Sequence, residues 1–255
     1  MSPAKKLDDA KPVPTDRITE PRFVDDAAVL LERARALTRA DLTKLMHVSD
    51  ALATSTFERF QAMSFAPEGG RQAVLTFAGE VYQGLDATTL GAADLDWAQD
   101  HVAILSGLYG LLRPLDRMRP YRLEMGTKLA NPGGKDLVSF WRERITPAID
   151  AAVAGHEDPT VVNLASDEYF SAIDRKRLQA RVVTPVFQDV KAGKARSLFL
   201  FVKRARGAMT RWLVEQRVER AEALKEAEVL GYRFVAEASE GDRWVFRRPQ
   251  PPSPS

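Results

Sequence analysis

A chain of 255 residues, 45% apolar and 28% charged, is long enough to bury a sizeable core and ordinary for a soluble globular protein. Lys and Arg number 37 against 35 Asp and Glu, a net charge of +2, so nucleic-acid binding must be argued from where the cations stand and not from their total. The lack of cysteine excludes disulfides, a thiolate nucleophile and cysteine-ligated metal centres; with no apolar run of membrane-spanning length and no signal-peptide core, a cytoplasmic location is expected.

The first twenty or so residues, with Pro12, Pro14 and Pro21, read as an irregular surface segment. From Phe23 to Leu37, Val24, Ala27, Ala28, Leu31 and Ala34 recur at helical spacing. Thr38 with Asp41 resembles a capping box for a second helix reaching Met46, and Ser49 is a further N-cap, opening a helix toward Phe60. Two short helices joined by Met46–Ser49 fit a helix-hairpin-helix that grips DNA, or a plain αα-hairpin packed on the core. The hairpin lacks the glycines that let backbone amides approach a phosphate. A helix is expected from Pro67 to Phe77, then a glycine-bracketed loop over Gly79–Leu85, then a helix from Asp94 to His101.

The central stretch, Leu105–Met125, begins in an apolar run from Val102 that suits a buried strand. Arg113, Arg117, Arg119 and Arg122 follow, balanced only by Asp116 and Glu124, with Pro114 and Pro120 stiffening the path. Cations presented in this way suit a phosphate or carboxylate. Asn131–Gly134 is a turn, and Asp136–Ala154 is an amphipathic helix with Pro147 as a kink or break. Thr160–Leu164 reads as a buried strand running into Ser166, Asp167 and Glu168 at a helix start, where capping alone accounts for those three but not for Asn163 and Tyr169 beside them.

Val182–Val190 and Arg196–Val202 read as two strands joined by a Lys-Ala-Gly-Lys turn. No acidic residue lies between Asp189 and Glu215. On a helical wheel of about 100° per residue, Ala205, Ala208, Met209, Trp212 and Leu213 form one stripe. Lys203, Arg204, Arg206, Arg211 and Arg217 fall opposite, an anion-binding face in preference to a merely solvated one. A helix near Ala221–Ala227 and a hairpin of Gly231–Ala238 with Arg243–Arg248 close the chain, before a disordered tail at 249–255. Walker A, Gly-x-Gly-x-x-Gly, Gly-x-Ser-x-Gly and His-Glu-x-x-His motifs are absent. The three histidines, His47, His101 and His156, stand at no metal-ligand spacing, so neither a metal nor another cofactor is expected.

Several stretches in one order resemble the YaaA family of peroxide stress proteins across almost the whole chain. They are Ser2-Pro-Ala-Lys5, Val81-Tyr82 with Gly84-Leu85, Leu105–Gly110, Leu112–Asp116, Pro120–Gly126, Gly134–Leu137, Asn163–Phe170 and Lys203 with Ala205–Gly207. The resemblance implies an α+β fold, one compact domain over 1–248 in which helices surround a curved mixed sheet. It also implies DNA binding through a positively charged cleft and a helix-hairpin-helix, and a cytoplasmic role in limiting hydrogen peroxide damage and unincorporated iron. A short apolar strand that members usually carry before Ser2-Pro-Ala-Lys5 is represented here by Met1 alone: either the start is misassigned or that strand is missing, which would leave a sheet edge unpaired.

Two functional readings follow. In the first, a monomer binds duplex or locally unpaired DNA through Lys5, Arg113, Arg117, Tyr121, Arg122, Asn163, Ser166, Tyr169, Lys203, Arg204, Arg206 and Arg211, with Tyr109, Tyr121 or Phe199 available to stack on bases. In the second, Arg113, Arg122 and Lys203 hold a small phosphate-bearing or otherwise anionic substrate in the same cleft, Glu124 or Glu168 moves a proton, and Asn163 or Tyr169 orients the substrate.

Overall fold

The computed structural model describes residues 1–8, 10 and 12–251. Its first third is helical because the sequence supplies both apolar spacing and caps. α1 (Val24–Arg35) buries Ala27, Leu30, Leu31 and Ala34. α2 (Arg39–Met46) opens on the expected box: Asp41 N donates to Thr38 Oγ1 at 3.1 Å, and Thr38 N to Asp41 Oδ2 at 2.9 Å. His47, at φ 52°, ends it, and Ser49 caps α3 (Asp50–Ala62) by accepting from Leu52 N. These two helices pack Leu42, Met46, Ala53 and Phe60 into the core. The amides of His47 and Val48 both donate to the Thr43 carbonyl, so the hairpin does not offer them to a phosphate.

The next segment departs from expectation in two places. No helix spans Pro67–Phe77: Gly69 and Gly70 take φ of 74° and 78°, which turns the chain into β1 (Arg71–Gln72) and leaves only α4 (Ala73–Thr76) helical. Conversely, the glycine-bracketed loop is helix α5 (Glu80–Leu85), where Gly84 is used for a close backbone approach and not for a turn. α6 (Ala92–His101) leads into β2 (Ile104–Ser106), which forms an antiparallel hairpin with β3 (Gly110–Leu112), and β4 (Arg117–Met118) pairs antiparallel with β1. Met1 lies beside β2, donating to the Ala103 carbonyl at 2.6 Å and accepting from Leu105 N at 3.0 Å.

α7 (Leu137–Val153) starts at Asp136, whose carboxylate accepts from Ser139 N at 2.7 Å, and runs through Pro147 without ending. The main sheet contains β5 (Thr160–Val162), β6 (Arg181–Lys191), β7 (Lys194–Arg196), β8 (Arg233–Phe234) and β9 (Arg243–Pro249). Its order is β5-β6-β9-β8 with β7 beside β6; β5 and β9 are parallel to β6, the other pairs antiparallel, so the sheet is mixed. The strand expected over Arg196–Val202 stops at Arg196. Ser197 Oγ donates to the Phe187 carbonyl at 2.9 Å, closing the ladder, and the chain becomes helical at Phe199. α8 (Asp167–Phe170) follows β5, and α9 (Phe199–Glu215) covers the sheet.

One apolar cluster centres on Leu30, Leu75, Leu105, Leu112, Phe140 and Trp141. The second lies between α9 and the sheet, with Phe187, Met209, Tyr232, Trp244 and Phe246. The fold is α+β, as expected. Of the expected tail, Pro249 still pairs with Val190, and 252–255 lie outside the described residues. No helix among the described residues is long and apolar enough to cross a membrane.

Candidate anion-binding site

The site is assembled where α5 crosses α9. Neither helix has room for a side chain at the crossing. A Cβ on Gly84 would stand 2.9 Å from Ala208 N, and one on Gly207 would stand 2.7 Å from the Val81 carbonyl carbon. This contact fixes α9 so that Lys203 and Arg206 face the N-terminal segment and the end of the central stretch. A second close approach holds the other wall, where a Cβ on Gly107 would meet the Leu123 carbonyl carbon at 2.9 Å and Glu124 C at 3.1 Å.

Glu124 stands between cations, its Oε1 lying 3.1 Å from Lys5 Nζ and 3.2 Å from Arg122 Nη2. These are ion pairs without hydrogen-bond alignment, since that buried oxygen has no hydrogen-bond partner. Glu168 Oε1 accepts from Gly126 N at 3.2 Å, tying α8 to the central stretch. Lys203 is held below the ordinary lysine range, by burial first and then by the charges of Lys5 and Arg206, against Glu80 and Glu168. Arg206 is pulled down by burial, with Asp167 opposing; a guanidinium keeps its proton, so the shift measures the cost of holding it there. The Nε atoms of Arg122 and Arg206 are both buried and without a hydrogen-bond partner. Four cations from three parts of the chain are thus gathered here: Lys5 and Arg122 at Glu124, Lys203 near Glu80 and Glu168, and Arg206 beside Lys203 and Asp167.

Beneath them lie buried hydroxyls. Tyr121 and Ser106 share a hydrogen bond of 2.6 Å, and Tyr82 donates to the Ser2 carbonyl at 3.1 Å. Burial raises Tyr82, Tyr121 and Tyr169 above the ordinary phenol range, and the neighbouring tyrosines add to each shift, with Glu168 and Glu124 adding to that of Tyr169. All three are therefore neutral hydrogen-bonding groups at physiological pH. Ser166 does not cap α8 with its side chain; instead its N donates to Ser2 Oγ at 2.8 Å, and Ser2 Oγ donates to Ser166 Oγ at 3.3 Å.

Other sequence candidates lie elsewhere. Arg113 is paired with the buried Asp116 at 3.2 Å, and both it and Asn163 line a separate cavity of about 740 Å³. Asn163 Oδ1 accepts from Ala165 N at 3.0 Å, a local turn contact. Arg117 binds Glu20 at 2.7 Å and the Gly69 carbonyl at 2.9 Å. Arg204 is held by Glu80 at 3.1 Å and by Gln83, and Arg211 by Glu215 at 2.8 Å and Thr89 at 2.7 Å. Arg206, placed by the helical wheel among outward cations, is half-buried instead, with its Nε fully covered. Tyr109 and Tyr121 are buried and cannot stack on a base as they stand, whereas Phe199 is 77% exposed. Sequence reasoning passed over Ser2, Tyr82, Ser106 and Glu80 as site residues; the run of Ser2-Pro-Ala-Lys5 beside Val81-Tyr82 carried the available signal.

Residues 1–238 match the family described as "Peroxide stress protein YaaA". The chain belongs to the YaaA family. It is 52% identical over 250 residues to a UPF0246 protein of Ralstonia nicotianae, with 97% of each chain covered. It is 51% identical to UPF0246 proteins of Azoarcus sp. and Caulobacter vibrioides, with 98% of each chain covered. The Ser2–Lys5, Tyr82, Pro120–Gly126, Asn163–Phe170 and Lys203–Gly207 stretches on which the YaaA resemblance rested supply most of the groups in the cluster.

Proposed function

We propose that this YaaA-family protein binds DNA by its phosphates at the cluster of Lys5, Arg122, Lys203 and Arg206, as the DNA-contacting step of a peroxide-stress response. The limiting of unincorporated iron and oxidative damage implied by the family resemblance belongs to the same proposal. One observation carries the reading: Arg122 and Arg206, from segments some eighty residues apart, each keep a buried Nε without a partner, and Arg206 stands beside Lys203, whose charge is disfavoured there. Buried donors and crowded cations are relieved by an anion. The DNA reading does not use the α2–α3 hairpin, whose amides are already bonded.

The test is fluorescence anisotropy with duplex and bubbled DNA over a salt series. Each phosphate neutralised contributes a slope of about −0.9 in log K against log salt on duplex DNA. Arg122→Ala and Arg206→Ala should each weaken binding without sequence preference and flatten the slope by about 1. Binding that ignores salt and both substitutions would overturn the assignment.

A second reading is favoured by the carboxylates and the tyrosine layer, which a phosphate clamp does not need. In it the cluster holds a small phosphate-bearing or other anionic substrate, and Glu124 or Glu168 transfers a proton. Calorimetry with inorganic phosphate and mononucleotides, and a metabolite comparison of wild type with Glu124→Gln, separate it from the first. Saturable nucleotide binding with weak DNA binding favours this reading; identical metabolite profiles and no small-ligand binding remove it.

A further inference from the structure

Away from the anion cluster, the fold joins three groups that no sequence spacing pairs. His101 ends α6, His156 follows α7 and Glu219 follows α9, and their ligand atoms all lie within 4.8 Å of one another. We infer that His101, His156 and Glu219 form a binding site for a divalent first-row transition metal ion of the zinc type. Two imidazoles and one carboxylate are a donor set for such ions, leaving a coordination position open.

The geometry of His101 argues for ligation over incidental proximity. Its Nδ1 lies 2.7 Å from the Trp97 carbonyl, which can only accept, so Nδ1 carries a proton and Nε2 is the ring atom directed toward the group. That Nε2 lies 3.5 Å from Glu219 Oε1. Ligands bound at about 2.0–2.1 Å in a tetrahedral site stand about 3.3 Å apart, so this edge already has nearly the required length. His156 meets the His101 ring edge-on at 4.6 Å between centroids, with a ring nitrogen within 4.8 Å of the other ligand atoms. The ring of His101 is fixed by stacking on Trp97 at 3.6 Å, and Trp97 Nε1 donates to Glu219 Oε1 at 3.4 Å, orienting the carboxylate.

The flanking arginines do not compete for Glu219. Arg217 is bonded to Asp94 at 2.6 Å and Arg220 to Glu157 at 3.0 Å. All three ligands also line the cavity of about 740 Å³, whose walls include Val102, Leu105, Ile149 and Phe170. The group therefore borders a partly open, largely apolar cavity from which a second ligand can approach the metal.

Isothermal titration of the chelator-treated full chain with Zn²⁺, and visible absorption with Co²⁺, test the inference. One ion per chain is expected, with the intense absorption of a four- or five-coordinate Co²⁺ centre. Glu219→Gln and His156→Ala should each weaken binding by at least about tenfold. Glu219→Gln retains the acceptor for Trp97, and circular dichroism checks that both variants are folded. His47→Ala, which removes the histidine outside the group, should leave binding unchanged. Absence of saturable binding, or binding unaffected by Glu219→Gln and His156→Ala in folded protein, overturns the site.

Discussion

Replacing Gly207 with alanine tests the frame on which the anion site stands. In an isolated helix the change is favourable by about 1 kcal/mol. Here the new Cβ would lie 2.7 Å from the Val81 carbonyl carbon and 2.8 Å from Leu85 N, and closer still to the Val81 oxygen. Those atoms are backbone and cannot rotate aside, so α5 and α9 must separate. Overpacking costs about 1–3 kcal/mol, and a backbone clash belongs at or above the top of that range. Less the helical gain, the net loss is about 2 kcal/mol or more. For a chain of this size that lowers the midpoint of thermal unfolding by about 4–8 °C or more. Gly155→Ala is the matched control: a Cβ there meets nothing within 4 Å, so stability should hold or rise slightly. Gly207→Ala should also weaken anion binding, because Lys203 and Arg206 ride on the displaced helix. A variant that melts with wild type would refute the claim that helix contact at this glycine positions the cluster.

Tyr121→Phe removes the 2.6 Å partner of buried Ser106 Oγ, which still accepts from Tyr109 N at 2.9 Å, and should cost about 0.5–1.5 kcal/mol in urea unfolding. Gly110, at φ 69° with a Cβ position 2.5 Å from the Trp141 ring, should tolerate alanine as poorly as Gly207, read out by the same melt. Asp136→Ala removes the cap of α7 and should cost about 0.5–2 kcal/mol at neutral pH. The Asp136 carboxyl is held below its ordinary range by the Ser139 side chain and then its amide, so its stabilisation is complete above about pH 4 and lost as pH falls through the lower folded value. The stability gap between wild type and Asp136→Ala should therefore close only in acid, and a gap that closes near neutrality would contradict the cap.

What could be read from residues alone was local. Thr38 with Asp41, Ser49 as an N-cap, and the amphipathic pattern of Asp136–Ala154 each specify a helix without reference to distant chain. The Pro67–Phe77 helix fails for a local reason, the Gly69-Gly70 turn, but two other misreadings share a distant cause. Gly84 looks like a breaker until the Arg204 carbonyl is placed against it, and Ser197 looks like strand until its hydroxyl finds Phe187. The same holds for charge. A run of cations without nearby acids looks free, yet Arg204 and Arg211 are tied to Glu80, Gln83 and Thr89, more than a hundred positions earlier. Arg122, Lys203 and Arg206 were legible as candidates, but their meeting at Glu124 and Glu168 was not.

The parallel pairing of β6 with β9 has a consequence for how the protein is made. Thr184 waits for Arg243, 59 positions later, to complete its side of the ladder. At about 5–20 residues per second, the ribosome leaves that edge open for roughly 3–12 s. For those seconds Val186 and Phe187 lie on a bare strand beside α9, able to pair with a neighbouring nascent chain. The interval is set by the spacing of the two strands in the chain and not by the stability of the finished sheet.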